Sequence, residues 1–136
     1  MTNGILCATD FSESSGEALK WAADLARKLD SHLTVLYTYR LLHKNGEPVE
    51  AKRKMEAEAK VNFERLEKSV LSGAGISYDL KTEIGFVDDR IEEHLKKNRV
   101  SLLVMGKSLT IRNKDTFEDL VRHLHFPLVI VPETID

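Results

Sequence analysis

The sequence predicts a doubly wound α/β fold, a five-stranded parallel sheet with helices on both faces. Short apolar runs alternate along the chain with longer segments of helical period. Their order, β-α-β-α-β-α-β-α-β, becomes a parallel sheet when the crossovers are right-handed. Residues 100–105 form a continuous apolar run, as expected of a strand covered on both faces.

The first strand is Ile5, Leu6, Cys7 and Ala8, followed by turn and cap residues Thr9, Asp10, Phe11 and Ser12. From residue 13 to 29, Ala18, Leu19, Ala22, Leu25, Ala26 and Leu29 recur at intervals of three and four, giving one buried stripe on a helix that Ser12 or Ser14 can cap. Residues 32–39 are rich in β-formers and read as the second strand, and a loop through Asn45-Gly46 follows. After Pro48, the residues Met55, Ala59, Phe63, Leu66 and Val70 trace one face of a long charged helix ending near Gly73. Residues 76–84 alternate between Ile76, Tyr78, Leu80, Thr82 and Ile84 on one side and polar residues on the other, which predicts a half-exposed edge strand. Gly85 and Asp88 introduce a short helix carrying Ile91 and Leu95, and the apolar run at 100–105 comes next. A polar, basic loop is expected over 106–114, then a helix marked by Phe117, Leu120, Val121 and Leu124, and a last strand at 128–131.

Length and composition suit one domain over residues 1–136: 42% of the residues are hydrophobic and 31% charged. A formal net charge of -2 gives no bulk attraction to nucleic acid or to an anionic membrane surface, so neither is expected as a partner. The single cysteine, Cys7, lies in an apolar strand and reads as an inert core thiol in a reducing, cytoplasmic setting. Neither a signal peptide nor a run long enough to span a membrane is evident.

In folds of this class ligands sit outside the carboxyl ends of the strands where strand order reverses. Thr9 and Asp10 leave the first strand there, and Met105, Gly106, Lys107 and Ser108 leave the apolar strand, so the two loops can face each other. Walker A is excluded because it needs a glycine where Ser101 stands. Gly106 then serves as a tight strand exit, while Lys107 and Ser108 keep some capacity to hold an anion. His123 and His125, two apart at a helix end, are expected to point to different sides. The Asp88-Asp89 and Glu92-Glu93 pairs read as a solvated helix face. Ser-His-Asp, Cys-His and metal-binding fingerprints are not seen, and no catalytic residue is assigned.

The opening run from Ile5 to Glu13, the Ala-rich helix after it, Leu103-Val104-Met105-Gly106, and Pro127-Leu128-Val129-Ile130-Val131-Pro132 resemble universal stress proteins along the whole chain. That resemblance implies strand order 3-2-1-4-5, a homodimer, and, in ATP-binding members, nucleotide between the first and fourth strands. The C-terminal strand is the expected dimer seam because Leu128 to Val131 would otherwise present an apolar edge with only Pro132 to blunt it. By position, Asp10 and Thr38 would line the adenine and ribose side, and Met105-Gly106 would begin the phosphate loop. The ATP-binding loop of the family reads Gly-x2-Gly-x9-Gly-Ser/Thr. Counting from Gly106 puts Leu109, Asp119 and Leu120 at the later positions, and anchoring on Phe126-Pro127 puts Lys114-Asp115 where Gly-Ser/Thr would stand. The motif fails either way. Asp115, with Glu118 three residues on, would instead cap the following helix and compete with phosphate for its backbone N–H groups.

The implied function is a stress-associated regulatory or binding protein that acts through a small ligand or protein partner, with no cofactor and no ATP hydrolysis. The alternative is an adenine-nucleotide-binding member, holding ATP or AMP, or a weak ATPase that uses Lys107, Ser108, Arg112 and Lys114 in place of the glycines. A purely structural partner subunit is the third reading.

Overall fold

The computed structural model describes residues 4–41 and 48–132; the expected loop through Asn45-Gly46 lies outside them. Five strands, β1 (Gly4–Thr9), β2 (Leu33–Tyr39), β3 (Tyr78–Ile84), β4 (Val100–Gly106) and β5 (Leu128–Val131), form one sheet in the order β3-β2-β1-β4-β5. Every pairing is parallel. The connecting helices are α1 (Glu13–Leu29), α2 (Pro48–Leu66), α3 (Val87–Lys97), α4 (Lys107–Arg112) and α5 (Lys114–His123).

Strand alternation divides the core into two layers. Ile5, Cys7, Leu33, Val35 and Val104 face Ala18, Leu19, Ala22 and Ala26 of α1, together with Phe63 of α2. The alanine stripe lets α1 lie close against the sheet. Leu6, Ala8, Leu36, Leu103 and Met105 face the other way, onto Ile91 of α3, Leu109 of α4 and Leu120 of α5. Val100 and Leu103 share that layer despite their odd spacing, because the β1–β4 register shifts between Gly4 and Ile5 and passes over Ser101. Truncating a fully buried residue such as Leu103 to alanine would cost about 2–5 kcal/mol.

β1 and β4 are neighbouring central strands, and β3 is an edge strand whose first residue is Tyr78 rather than Ile76. Ser12 is the N-cap of α1, its Oγ accepting from Ser15 N. After Leu66, α2 widens into a π turn (Glu67–Leu71), which rotates Leu71 into the core beyond the partly buried Val70.

The stretch 106–114 is not the expected loop. β4 passes directly into α4 and then α5, because Leu109 and Thr110 are buried and tie the segment down onto the domain. Asp115 does not cap α5 either. The cap position is Asn113, whose Nδ2 donates back to Leu109 O at 2.9 Å, and exposed Asp115 sits one residue inside the helix start. Its charge there still favours the helix dipole. No helix among the described residues is long and apolar enough to cross a membrane.

Candidate functional site

The carboxyl ends of β1 and β4 meet at the reversal of strand order. Thr9 is buried, and its Oγ1 accepts from Phe11 N at 3.0 Å, which holds Phe11 in a left-handed conformation with φ 62°. Such a backbone is uncommon outside glycine and here turns the chain sharply away from the strand. Asp10 Oδ1 accepts from Ser12 N at 3.0 Å and from Ser15 Oγ at 2.5 Å, and Asp10 N donates to Ser15 Oγ at 3.1 Å. Asp10 is thus the hub of the turn that starts α1. Ser15 is fully buried beneath it.

Across the crevice, Gly106 is the N-cap of α4, with φ -78° and ψ 150°. Ser108 Oγ lies 3.1 Å from Ser12 Oγ, so the two strand exits are joined directly. Lys107 projects into solvent, and Thr110 Oγ1 donates to Lys107 O at 2.7 Å. Thr9, Asp10, Gly106, Lys107 and Ser108 therefore gather at one end of the sheet. Met105 packs its side chain into the core with Leu6 and Leu120. Thr38 stands on the neighbouring strand, opposite Glu83 and partly exposed. The side chain of Arg112 lies outside the described set.

Three aromatic residues that the sequence did not single out flank the site. The Phe11 and Tyr37 rings are tilted with centroids 4.8 Å apart, and Tyr37 stacks on Tyr39 at 6.1 Å. Tyr39 Oη donates to Glu56 at 2.7 Å. Burial, and then the carboxylates Glu58 and Asp10, push the Tyr37 phenol up; burial and Glu56 do the same at Tyr39. Both rings stay neutral at physiological pH. The Tyr-x-Tyr spacing at the end of β2, which puts both rings on one face, was the available signal.

A groove of about 470 Å³ lies between α3 and α5, and its lining includes Asp88, Glu92, Leu120, His123, His125 and Phe126. His123 and His125 thus reach one groove rather than opposite sides, because α5 ends at His123 and helical angles no longer apply beyond it. Among the described residues no group of three or more His, Cys, Asp or Glu side chains is placed to hold a metal ion.

Residues 1–132 match the model of the universal stress protein family. The chain belongs to the universal stress protein family. Solved universal stress proteins share its fold at low identity. One from Burkholderia pseudomallei is 21% identical, with a TM-score of 0.75 and 96% of each chain covered. One from Archaeoglobus fulgidus, solved in complex with dAMP, is 16% identical with a TM-score of 0.69, covering 95% of this chain and 97% of that one. Another universal stress protein, in complex with cAMP, is 16% identical with a TM-score of 0.66 over 98% of this chain and 100% of its own. The search of curated proteins found no significant match. After β4, α4 and α5 follow one another with only Asn113 between them.

Proposed function

We propose that this universal stress protein works by binding a ligand or a protein partner, without hydrolysing ATP, and that residues 1–136 act as one domain. One observation carries the reading: the segment where relatives of the ATP-binding type keep a glycine-rich phosphate loop is here a helix pinned by buried Leu109 and by the Ser12–Ser108 contact. A loop that wraps phosphate needs glycines for close backbone approach. Leu109 supplies a side chain turned into the core instead. Signalling would then pass through surfaces, including a second copy joined along β5.

A second reading has its own support. Relatives of the same fold were solved with cAMP and dAMP, and the Phe11–Tyr37 pair beside Asp10 offers aromatic faces of the kind a purine stacks on. In it, Thr9, Asp10 and Thr38 would serve the base and ribose, and Met105, Gly106, Lys107 and Ser108 the phosphate.

Mass spectrometry of small molecules released from the purified, denatured protein separates the two, combined with calorimetry using ATP and magnesium. The first reading expects no co-purified adenine nucleotide, weak or no ATP binding, and no phosphate release. Submicromolar ATP binding would overturn it.

A further inference from the structure

The amino ends of the strands, opposite the β1–β4 crevice, hold an arrangement that the sequence did not disclose. His32 immediately precedes β2, Ser77 immediately precedes β3, and Asp79 is the second residue of β3. The His32 ring lies between the other two: Nδ1 is 2.9 Å from Ser77 Oγ and Nε2 is 2.6 Å from Asp79 Oδ1. An ionised carboxylate only accepts, so Nε2 carries a proton, and in the unprotonated ring the Nδ1 lone pair faces the Ser77 hydroxyl. Nucleophile, base and orienting carboxylate are thereby within hydrogen-bond reach in series, the geometry that activates a serine.

Each member is held by backbone or by a buried neighbour. Ile5 N donates to His32 O at 2.8 Å, and Leu33 N donates to Ser77 O at 3.0 Å. Thr34, buried on β2, donates from Oγ1 to Asp79 Oδ1 at 2.8 Å. Ser77 and His32 line a polar pocket of about 270 Å³ with Arg27, Asp30, Ser31 and Gly75, while Asp79 stands behind the ring. Gly75 has φ +72° and open space where a Cβ would be, and Ser77 is exposed. The volume falls just below the range of about 300–1,000 Å³ common for ligand pockets, so a short substrate fits.

We propose that Ser77, His32 and Asp79 form a serine-nucleophile site that cleaves short polar esters. Ser77 Oγ bonds to the ester carbonyl carbon as its proton passes to His32 Nδ1. The carbon–oxygen bond to the alcohol breaks, and the departing alkoxide takes that proton. Water then attacks the acyl-serine, giving a proton to Nδ1 that returns to Ser77 Oγ as the carboxylic acid leaves. Ser77 and His32 are the catalytic residues, and Asp79 is a positioning residue for the ring.

The test uses the full chain with a fluorophosphonate probe and with p-nitrophenyl acetate. The expected result is phosphonylation of the peptide containing Ser77, and ester hydrolysis that falls roughly tenfold or more in Ser77→Ala and in His32→Gln. Asp79→Asn should lower kcat at unchanged KM and alter the pH profile, which loss of a merely structural bond would not do. Melting curves of the three variants are expected to match that of the natural protein, so that lost activity reads the chemistry and not the fold. Label absent from Ser77, or hydrolysis unchanged in Ser77→Ala, overturns the proposal. Activity that survives Ser77→Ala but is lost in His32→Gln assigns the reaction to imidazole alone and overturns it equally.

Discussion

Ser12 Oγ and Ser108 Oγ lie 3.1 Å apart although 96 positions separate them in the chain. Ser12 also caps α1 by accepting from Ser15 N at 3.3 Å, and Ser108 belongs to the first turn of α4. One contact therefore couples the start of α1 to the start of α4 across the central strands.

Removing either hydroxyl should destabilise the protein, and removing both should cost less than the sum. Ser108→Ala is expected to lower unfolding free energy by about 1 kcal/mol, and Ser12→Ala by about 0.5–2 kcal/mol because a helix cap is lost as well. A coupling of about 0.5 kcal/mol or more in the double-mutant cycle, read by urea denaturation, is the expected signature. Strict additivity would mean that the two hydroxyls do not interact in solution.

Cys7 should be silent to thiol reagents in the native state. It is fully buried, and burial raises the thiol from 9.0 to about 12, so thiolate is scarce at neutral pH. Labelling by a disulfide reagent should follow the global unfolding rate and become rapid only in denaturant. Fast labelling of the folded protein would contradict the position of β1 at the centre of the sheet.

His94 makes stability depend on pH. It is buried on α3 against the sheet, and burial, with Lys81 adding to it, lowers its pKa from the ordinary 6.5 despite the opposing carboxylates Glu83 and Asp79. Asn98 Nδ2 lies 3.3 Å from His94 Nδ1, a contact that suits the unprotonated nitrogen. The unfolded chain then binds the proton more readily than the folded one. Stability from this group is full above 6.5, declines as pH falls through that value, and levels off below the folded-state pKa. Urea midpoints at mildly acidic and neutral pH should differ, and His94→Gln should flatten the difference. An unaltered profile in that variant would exclude His94 as the cause.

The outer strand β5 should mediate self-association. It pairs with β4 on one side, and Ile130 is 42% exposed on it. An apolar strand at a sheet edge is a pairing surface unless charge or proline blunts it, and self-pairing about a two-fold axis would cover it. Light scattering at micromolar concentration should give a dimer mass for the natural sequence and a monomer for Ile130→Lys. A monomeric natural protein would remove β5 from the proposed interface.

The sequence by itself determined what depends on near neighbours in the chain. Apolar period placed all five strands, with β3 begun two residues early, and the helices α1, α2, α3 and α5, while Ser12 was one of two cap candidates readable before the Ala-Leu stripe. The lateral order of the strands came from family resemblance, because each run is satisfied by any partner that covers it. Tertiary structure alone decided the rest. Residues 106–114 are polar enough to read as loop, yet Leu109 and Thr110 find a buried seat and the segment becomes helix. Asp115 has the local chemistry of a cap, but the turn made by Asn113 takes that place. Thr9, Asp10 and Ser108 were legible as candidates from their places at strand ends, whereas Ser15, the Phe11–Tyr37 pair, and His32 between Ser77 and Asp79 were not. Local periodicity is set over a few residues, while contacts across 45 to 96 positions exist only once parallel strands bring distant segments side by side.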